Sequence, residues 1–279
     1  MGKWDDFSPP EELANNPEIV AEYRRIAIFE IDRTISLSEI RCLPFDNLLE
    51  RIERLWEDSQ AGEIVYRACE EELSDNQYYA LAESIRRLAD AIDLLPSAQK
   101  ASPDRAIKRM LARMPAQIAA PVAEQWLEHK RKFRREVAYR VLRECGLTAA
   151  SGPHLLDVFS RTGDQECLKL IARHPIAIGD LDMAPLLDKV DEYYWRMRLV
   201  QATLISDKAK ASALADSHPR EFLHSVGRLK DATLMAKLRE LFEKHSEDLG
   251  FLSLYAWALG QLGAHVELAK LKNHVEKLR

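Results

Sequence analysis

Helical periodicity runs through nearly all of this 279-residue chain, and that property limits it to an all-helical fold. In "NQYYALAESIRRLADAIDLL", Tyr78, Leu81, Ala82, Ile85, Leu88, Ala89, Ile92 and Leu95 recur at threes and fours, the spacing that gathers apolar side chains on one helix face. Ser74 or Asp75 is available to cap its first turn. Strand-type alternation is almost nowhere. From Pro103 onward, stretches of about 10–15 residues with the helical pattern follow one another with short breaks, and short breaks imply antiparallel neighbours. Gly146, Gly152, Gly163, Gly179 and Gly263 fall where a preceding pattern stops and are predicted to be C-terminal caps.

The most linker-like segment is "LLPSAQKASPDR", Leu94 to Arg105, with two prolines among small polar residues. It coincides with a switch in charge. Residues 1–99 carry 10 Lys or Arg against 22 Asp or Glu, residues 100–148 carry 12 against 5, and residues 149–279 carry 18 against 18. The predicted division is an acidic helical N-terminal region, 1–99, followed by helical repeats over 100–279, which could also run as one continuous array. The acidic region either neutralises the basic segment 100–148 or leaves it as an exposed surface.

Apolar runs stay far below the ~18 residues needed to span a bilayer, so no membrane partner is expected. The opening "MGKWDDFSPPEELANN" has no apolar core and is acidic, unlike a secretory or transit peptide. Asp6 stands where a myristoylation pattern wants Ser or Thr. The four cysteines, Cys42, Cys69, Cys145 and Cys167, are scattered with no C-x-x-C pair, which predicts reduced structural thiols in a cytoplasmic protein. No histidine lies in a two-ligand spacing, and Pro219 should start a helix that leaves His218 outside it. Glycine-rich phosphate loops and nucleophile elbows are missing from the sequence. No metal or cofactor is expected, and a non-enzymatic role is favoured.

Repetition is faint. "RTGDQECLKLI" from Arg161, "RLKDATLMAKL" from Arg228 and "QLGAHVELAKL" from Gln261 share a helix end, a turn and an apolar restart, with starts 67 and 33 residues apart. A period of 33 fits several helix-pair repeats. "YAWALGQLGAHVELAKL", Tyr255 to Leu271, resembles the HEAT-type repeat, particularly its phycobilisome-lyase-like subgroup, whose second helix commonly ends in A-x-x-A-L-G-x-L-G. Tyr255 takes the first Ala position, and Ala258, Leu259, Gly260, Leu262 and Gly263 match. "RREVAYRVLRECG" resembles the same helix through Arg135, Ala138, Leu142 and Gly146, and "YYWRMRLVQATL" is a looser third copy. The resemblance covers roughly the C-terminal two thirds. It implies a right-handed alpha-alpha superhelix, a HEAT-like solenoid, in which small residues let helices stack and Leu142 and Leu259 fill the space between repeats.

Two clusters carry the candidate binding residues. In "HKRKFRREVAYRVLRECG" the helical wheel puts Phe133, Val137, Ala138, Val141, Leu142 and Cys145 on one arc and leaves Lys132, Arg135, Tyr139 and Arg143 outward. Arg134 falls on the apolar side and should need a carboxylate or carbonyl partner. In "DEYYWRMRLVQ", Tyr193, Tyr194 and Trp195 stand beside Arg196 and Arg198, residue types that dominate interface hot spots. Three consecutive aromatics cannot share one buried stripe. Tyr194, Trp195 and Arg198 complete the candidate set.

The leading expectation is a helical-repeat scaffold that binds a protein partner through its concave or charged surface. The alternative is nucleic-acid binding. Some DNA glycosylases for alkylated bases resemble HEAT-like arrays, and Trp126, Trp195, Arg131, Arg135 and Arg198 could sketch a comparable groove. A pigment-protein lyase, implied by the subgroup resemblance, lacks an activated thiol, since Cys145 lies on the apolar face.

Overall fold

The computed structural model of the chain describes residues 16–70, 72–96 and 101–278, apart from the side chains of 27–36 and 101–102. The opening stretch read above for targeting and lipidation, and residues 97–100 of the linker-like segment, lie outside the described residues. Every regular element among the described residues is helical, as the periodicity predicts.

The chain divides into two compact units, 1–114 and 115–279. The first contains α1 (Pro17–Arg41), α2 (Phe45–Glu53), α3 (Ala61–Glu70), α4 (Asp75–Leu94) and α5 (Ala101–Leu111). Its core is the expected face of α4, with Leu81, Ala82, Ile85, Leu88, Ala89 and Ile92 buried against Leu48 and Ile52 of α2. Of the two candidate caps, Ser74 is the one used: Gln77 Oε1 accepts from its backbone N–H at 3.0 Å, a reciprocal arrangement that satisfies the helix start.

The unit boundary falls after Met114 and not near residue 99. The reason is α5, whose Ile107, Met110 and Leu111 are buried and which packs on α3 and α4. Arg105, Lys108, Arg109 and Arg113 therefore belong to the acidic unit. The sequence marks the linker, but burial of one more apolar stripe decides which side of it the core closes on.

The second unit contains α6 (Ala116–Glu124), α7 (Lys132–Cys145), α8 (Ser151–Thr162), α9 (Gln165–Arg173), α10 (Ala184–Leu187), α11 (Tyr193–Ser206), α12 (Lys208–Leu214), α13 (Pro219–Leu229), α14 (Met235–Lys244), α15 (Leu249–Gln261) and α16 (His265–Leu278). Alternate helices pack in a row: α7 on α9, α9 on α11, α11 on α13 and α13 on α15. The three segments that resemble the HEAT-type helix are α7, α11 and α15, all members of that row. Counting back four, five and eight residues from Gly146 and from Gly263 gives Leu142, Val141 and Ala138, and Leu259, Ala258 and Tyr255, all buried.

The fainter repeat does not survive as a period. Its third positions, Gly163, Lys230 and Gly263, all take the left-handed conformation, with φ of 70°, 55° and 67°. Gly163 leads into a row helix, whereas Lys230 and Gly263 lead out of one. The three segments share a way of ending a helix and not a place in the helix pair, and successive row helices start 26 to 33 residues apart.

Aspartates tie two neighbouring pairs of the row, α7 to α9 and α13 to α15, and a third ties the turn after α13 to α12. Asp164 caps α9 by accepting from Glu166 N at 3.0 Å and also takes the Tyr139 hydroxyl of α7 at 2.7 Å. Asp231 accepts from Thr233 N at 3.1 Å and pairs with Lys208 of α12 at 2.7 Å. Asp248 caps α15 through Gly250 N and Phe251 N and pairs with Arg220 of α13 at 2.8 Å. Each carboxylate satisfies the start of its own helix and is held by a preceding one.

Four of the five predicted glycine caps adopt positive φ: Gly146, Gly163, Gly179 and Gly263. Gly152 does not. It is buried inside the first turn of α8, where an added Cβ would lie 1.8 Å from the Ala177 carbonyl oxygen. Its role is close backbone approach, a need that leaves the same mark in sequence as a cap. Gly152→Ala should destabilise the second unit by about 2–3 kcal/mol or more, and Gly163→Ala by about 1 kcal/mol. Thermal or urea unfolding of the two variants measures the difference, and equal effects would show that the Gly152 approach carries no packing constraint.

Candidate functional site

The basic helix α7 is divided by its surroundings. Val137, Ala138, Val141 and Leu142 are buried as its wheel predicts, whereas Phe133 is exposed and Cys145 half-buried. Arg134 is 1% exposed. The expected partner was a carboxylate or carbonyl, and one partner is an aromatic face: the guanidinium lies 4.9 Å from the Trp126 ring centroid. Trp126 is itself buried, so it cannot stack a base as the glycosylase-like groove would require.

Of the four residues expected outward on α7, two are correct in exposure. Lys132 reaches water and lies 3.9 Å from Glu136 one turn on, and Arg143 is exposed with Glu166 of α9 at 3.3 Å. Arg135 is half-buried, and its Nη1 donates to the His129 carbonyl at 2.6 Å and the Lys130 carbonyl at 3.4 Å. Arg196 does the same in α11, donating to the Val190 and Asp191 carbonyls at 3.0 and 3.2 Å. In both helices the fourth residue clasps the carbonyls six and five positions back, a relation the sequence shows once α7 and α11 are aligned.

Tyr139 is a correction. It is 7% exposed, and its hydroxyl sits between Asp164 and the Cys167 thiol. Burial and the bond to Asp164 push its ionisation far above the ordinary range for a phenol. The 100° wheel set Tyr139 opposite the apolar arc, but α9 packs on that flank of α7 as well. Burial also pushes Cys145 up to about 12 and Cys167 up to about 11, so both are thiols and not nucleophilic thiolates at neutral pH.

The remaining candidates meet on the row. Lys169 and Arg173 stand one turn apart on α9, with the Lys169 ammonium 5.7 Å and the Arg173 guanidinium 4.9 Å from the Trp195 ring centroid. Tyr194 is 50% exposed and meets the Trp195 ring edge-on at 5.0 Å. Arg198, one turn further along α11, donates to Gln201 at 2.9 Å. The Arg173 pKa is lowered by burial first, and then by the charge of Arg143, with Arg198 adding to it and Glu166 and Tyr194 opposing. Trp195, with Tyr194 at its edge, thus lies against Arg173 and Lys169, which sequence reasoning did not single out, and Arg143 reaches the same Glu166 as Lys169. The i,i+4 spacing of Lys169 and Arg173 was visible, but not that α9 lies between α7 and α11.

Carboxylates are interleaved with these cations. Glu166 accepts from Lys169 at 3.1 Å as well as facing Arg143, and Glu192 lies 3.7 Å from Lys169. Tyr193 turns the other way, toward α13, where His224 is 6.1 Å from its ring and Trp257 of α15 is 4.8 Å from His224. Pro219 opens α13 and His218 remains outside it as its N-cap. Among the described residues no group of three or more His, Cys, Asp or Glu is arranged to hold a metal, and no helix is long and apolar enough to cross a membrane. No family model, curated protein or solved structure matches the chain.

Two outcomes test the geometry around the site. Tyr139→Phe should lower stability by about 1.5–3 kcal/mol, as expected for a hydrogen bond to a charged acceptor. Asp164→Ala should cost about 1 kcal/mol more, because the α9 cap is lost as well; identical losses in chemical denaturation would show that one of the two bonds contributes nothing.

His174, next to Arg173, is half-buried with Nε2 lacking a hydrogen-bond partner among the described residues. Burial, then the Arg173 charge, lowers its pKa from 6.5. Below that ordinary value the unfolded chain takes up a proton that the folded ring refuses, so stability is full above it and declines as pH falls. The melting temperature should therefore drop between about pH 7 and 5. His174→Gln should flatten part of that slope, with the similarly lowered His224 contributing a residual slope. A slope unchanged by the substitution counts against this account.

Proposed function

We propose that the chain is a non-enzymatic helical-repeat scaffold whose second unit is a HEAT-like superhelix, and that it binds a protein partner through the surface of α9 and α11. The observation that carries this reading is the Tyr194–Trp195 pair, half in water and set among Lys169, Arg173 and Arg198. Aromatic side chains beside arginine combine a large apolar area with directional donors, and such residues supply most of the energy at protein interfaces. The row of alternate helices supports the repeat reading, because each row helix packs on the next.

The nucleic-acid alternative has less support. A polyanion is held by cations whose partners are its phosphates, but Glu166, Glu192 and Glu221 already answer Arg143, Lys169 and Arg196. Arg135 is engaged with its own backbone, and Trp126 is buried. A cytoplasmic location remains part of the proposal.

Site-specific photocrosslinking tests the reading. A benzophenone side chain at position 194 should capture a discrete protein in cells, whereas the same group at the equally exposed Tyr79 of the first unit should not. Tyr194→Ala should weaken the captured complex by about tenfold or more. Capture from both positions alike would overturn the assignment of the surface. So would steep, salt-sensitive binding to heparin or single-stranded DNA with no protein captured.

A further inference from the structure

The groove between α13 and α14 is filled by the next row helix, α15. On α13, Arg220, Leu223 and Gly227 form one stripe at helical spacing. Arg220 pairs with Asp248, Leu223 is buried, and a Cβ added at Gly227 would lie 2.5 Å from the Trp257 ring and 3.1 Å from the Ala258 Cα. On α14, Phe242 is stacked under Tyr255 at 5.2 Å, and Arg239 pairs with Glu267 of α16. Phe251 and Tyr255, one turn apart on α15, stack on each other at 6.1 Å. Aromatic side chains and a close helix approach thus close this groove.

The groove between α15 and α16 is open. The positions 33 residues further on are Ser253, Ala256 and Gly260 of α15, and Lys272 and Val275 of α16. The helix ends confirm the register, because Gly227 stands three residues before Lys230 and Gly260 three before Gly263, both left-handed. Leu252, Ser253 and Ala256 face Leu271, Lys272 and Val275 across a hollow of about 530 Å³. Leu249 in its wall is 66% exposed. A Cβ added at Gly260 would meet nothing within 4 Å, and Lys272 extends into water with Glu276 of its own helix 3.9 Å away. The apolar stripe that α13 buries is repeated on α15 in contact with solvent, which is the mark of an interaction surface.

A second copy of the chain does not supply what this groove lacks. Two such ends placed face to face oppose hollow to hollow, and the anchors of α15 are already committed, Tyr255 to Phe242 and Trp257 to Gly227. What fits is the kind of element that closes the preceding groove. We infer that the α15–α16 groove receives an amphipathic helix of another protein. That helix carries two aromatic side chains one turn apart, as Phe251 and Tyr255 are, and a small residue one turn further on against Gly260, as Ala258 lies against Gly227. A carboxylate beside them meets Lys272 as Glu267 meets Arg239. With 13 residues in α15, the groove is about 20 Å long and takes three to four turns of helix. It shares no residue with the α9–α11 surface and does not rest on the reading of that surface.

Fluorescence anisotropy with the full chain and labelled, helix-stabilised peptides tests the inference. The probe is an Ala/Lys/Glu peptide of four turns with Phe at one position, Tyr four residues on, Ala three residues after that, and Glu on the flank. Its control has Ala in place of both aromatics. The aromatic peptide should bind at least tenfold more tightly than the control. Gly260→Leu should reduce binding at least tenfold with circular dichroism and melting temperature retained, because its side chain enters open space. Lys272→Glu should weaken binding severalfold, and exchanging the flanking Glu of the peptide for Lys should restore it to that variant. Equal binding of the two peptides, no binding of either, or binding indifferent to Gly260→Leu overturns the helix site. Dimerisation in sedimentation equilibrium that Gly260→Leu abolishes overturns it in favour of a second copy.

Discussion

The second unit depends on aspartates that serve two helices at once. Asp164, Asp231 and Asp248 each cap the turn that follows and are gripped by a side chain from an earlier element, Tyr139, Lys208 and Arg220. A helix start has backbone donors with no partner of their own, and these aspartates satisfy them for α9 and α15, whereas α7, α11 and α13 begin without a side-chain cap. Tying such a cap to a preceding helix converts a local need into a constraint on spacing. The buried hydroxyl of Ser225 acts similarly between α13 and α11, donating toward the Met197 and Glu221 carbonyls at 2.9 and 2.7 Å.

The Asp164 tie sets α7 against α9, and packing sets α11 against α9, where the candidate site lies. Stacking α7, α9 and α11 side by side sets residues far apart in sequence against each other, Arg143 on Glu166, and Lys169 and Arg173 on Trp195. The same stacking sorts the charges. Arg135 and Arg196, near their helix starts, reach back to backbone carbonyls, Arg196 also meeting Glu221 of α13, while Arg143, in the last turn of α7, meets Glu166 of α9. Arg173 ends over the Trp195 indole, with its Nη1 lacking a hydrogen-bond partner among the described residues.

Much of the fold was legible because it follows from periodicity: the α4 face, the buried stripe of α7, the caps at Gly146, Gly163 and Gly263, and Pro219 opening α13. What was not legible depended on which helix lies beside which. Tyr139 reads as an outward residue until α9 covers its flank, and Gly152 reads as a cap until Ala177 presses on it. Of the site, the sequence held the aromatic-arginine cluster of α11 and Arg143, while Lys169 and Arg173 looked like ordinary charged positions on a short helix. Lys132 and Arg135 were set apart by charge alone, and charge does not distinguish a side chain in water from one bonded to its own backbone.

The direction of the aspartate ties has a consequence for synthesis. In each, the gripping residue precedes the capping aspartate in the chain, so the donor is already made when the cap emerges from the ribosome. Growth adds about 5–20 residues per second, slow beside the sub-microsecond to microsecond formation of a helix. Each new turn can therefore dock on a surface that is finished before it arrives. An array tied in this sense is suited to being laid down from its N-terminal end, and shortening it from the C-terminal end removes aspartates without leaving any retained cap without its grip.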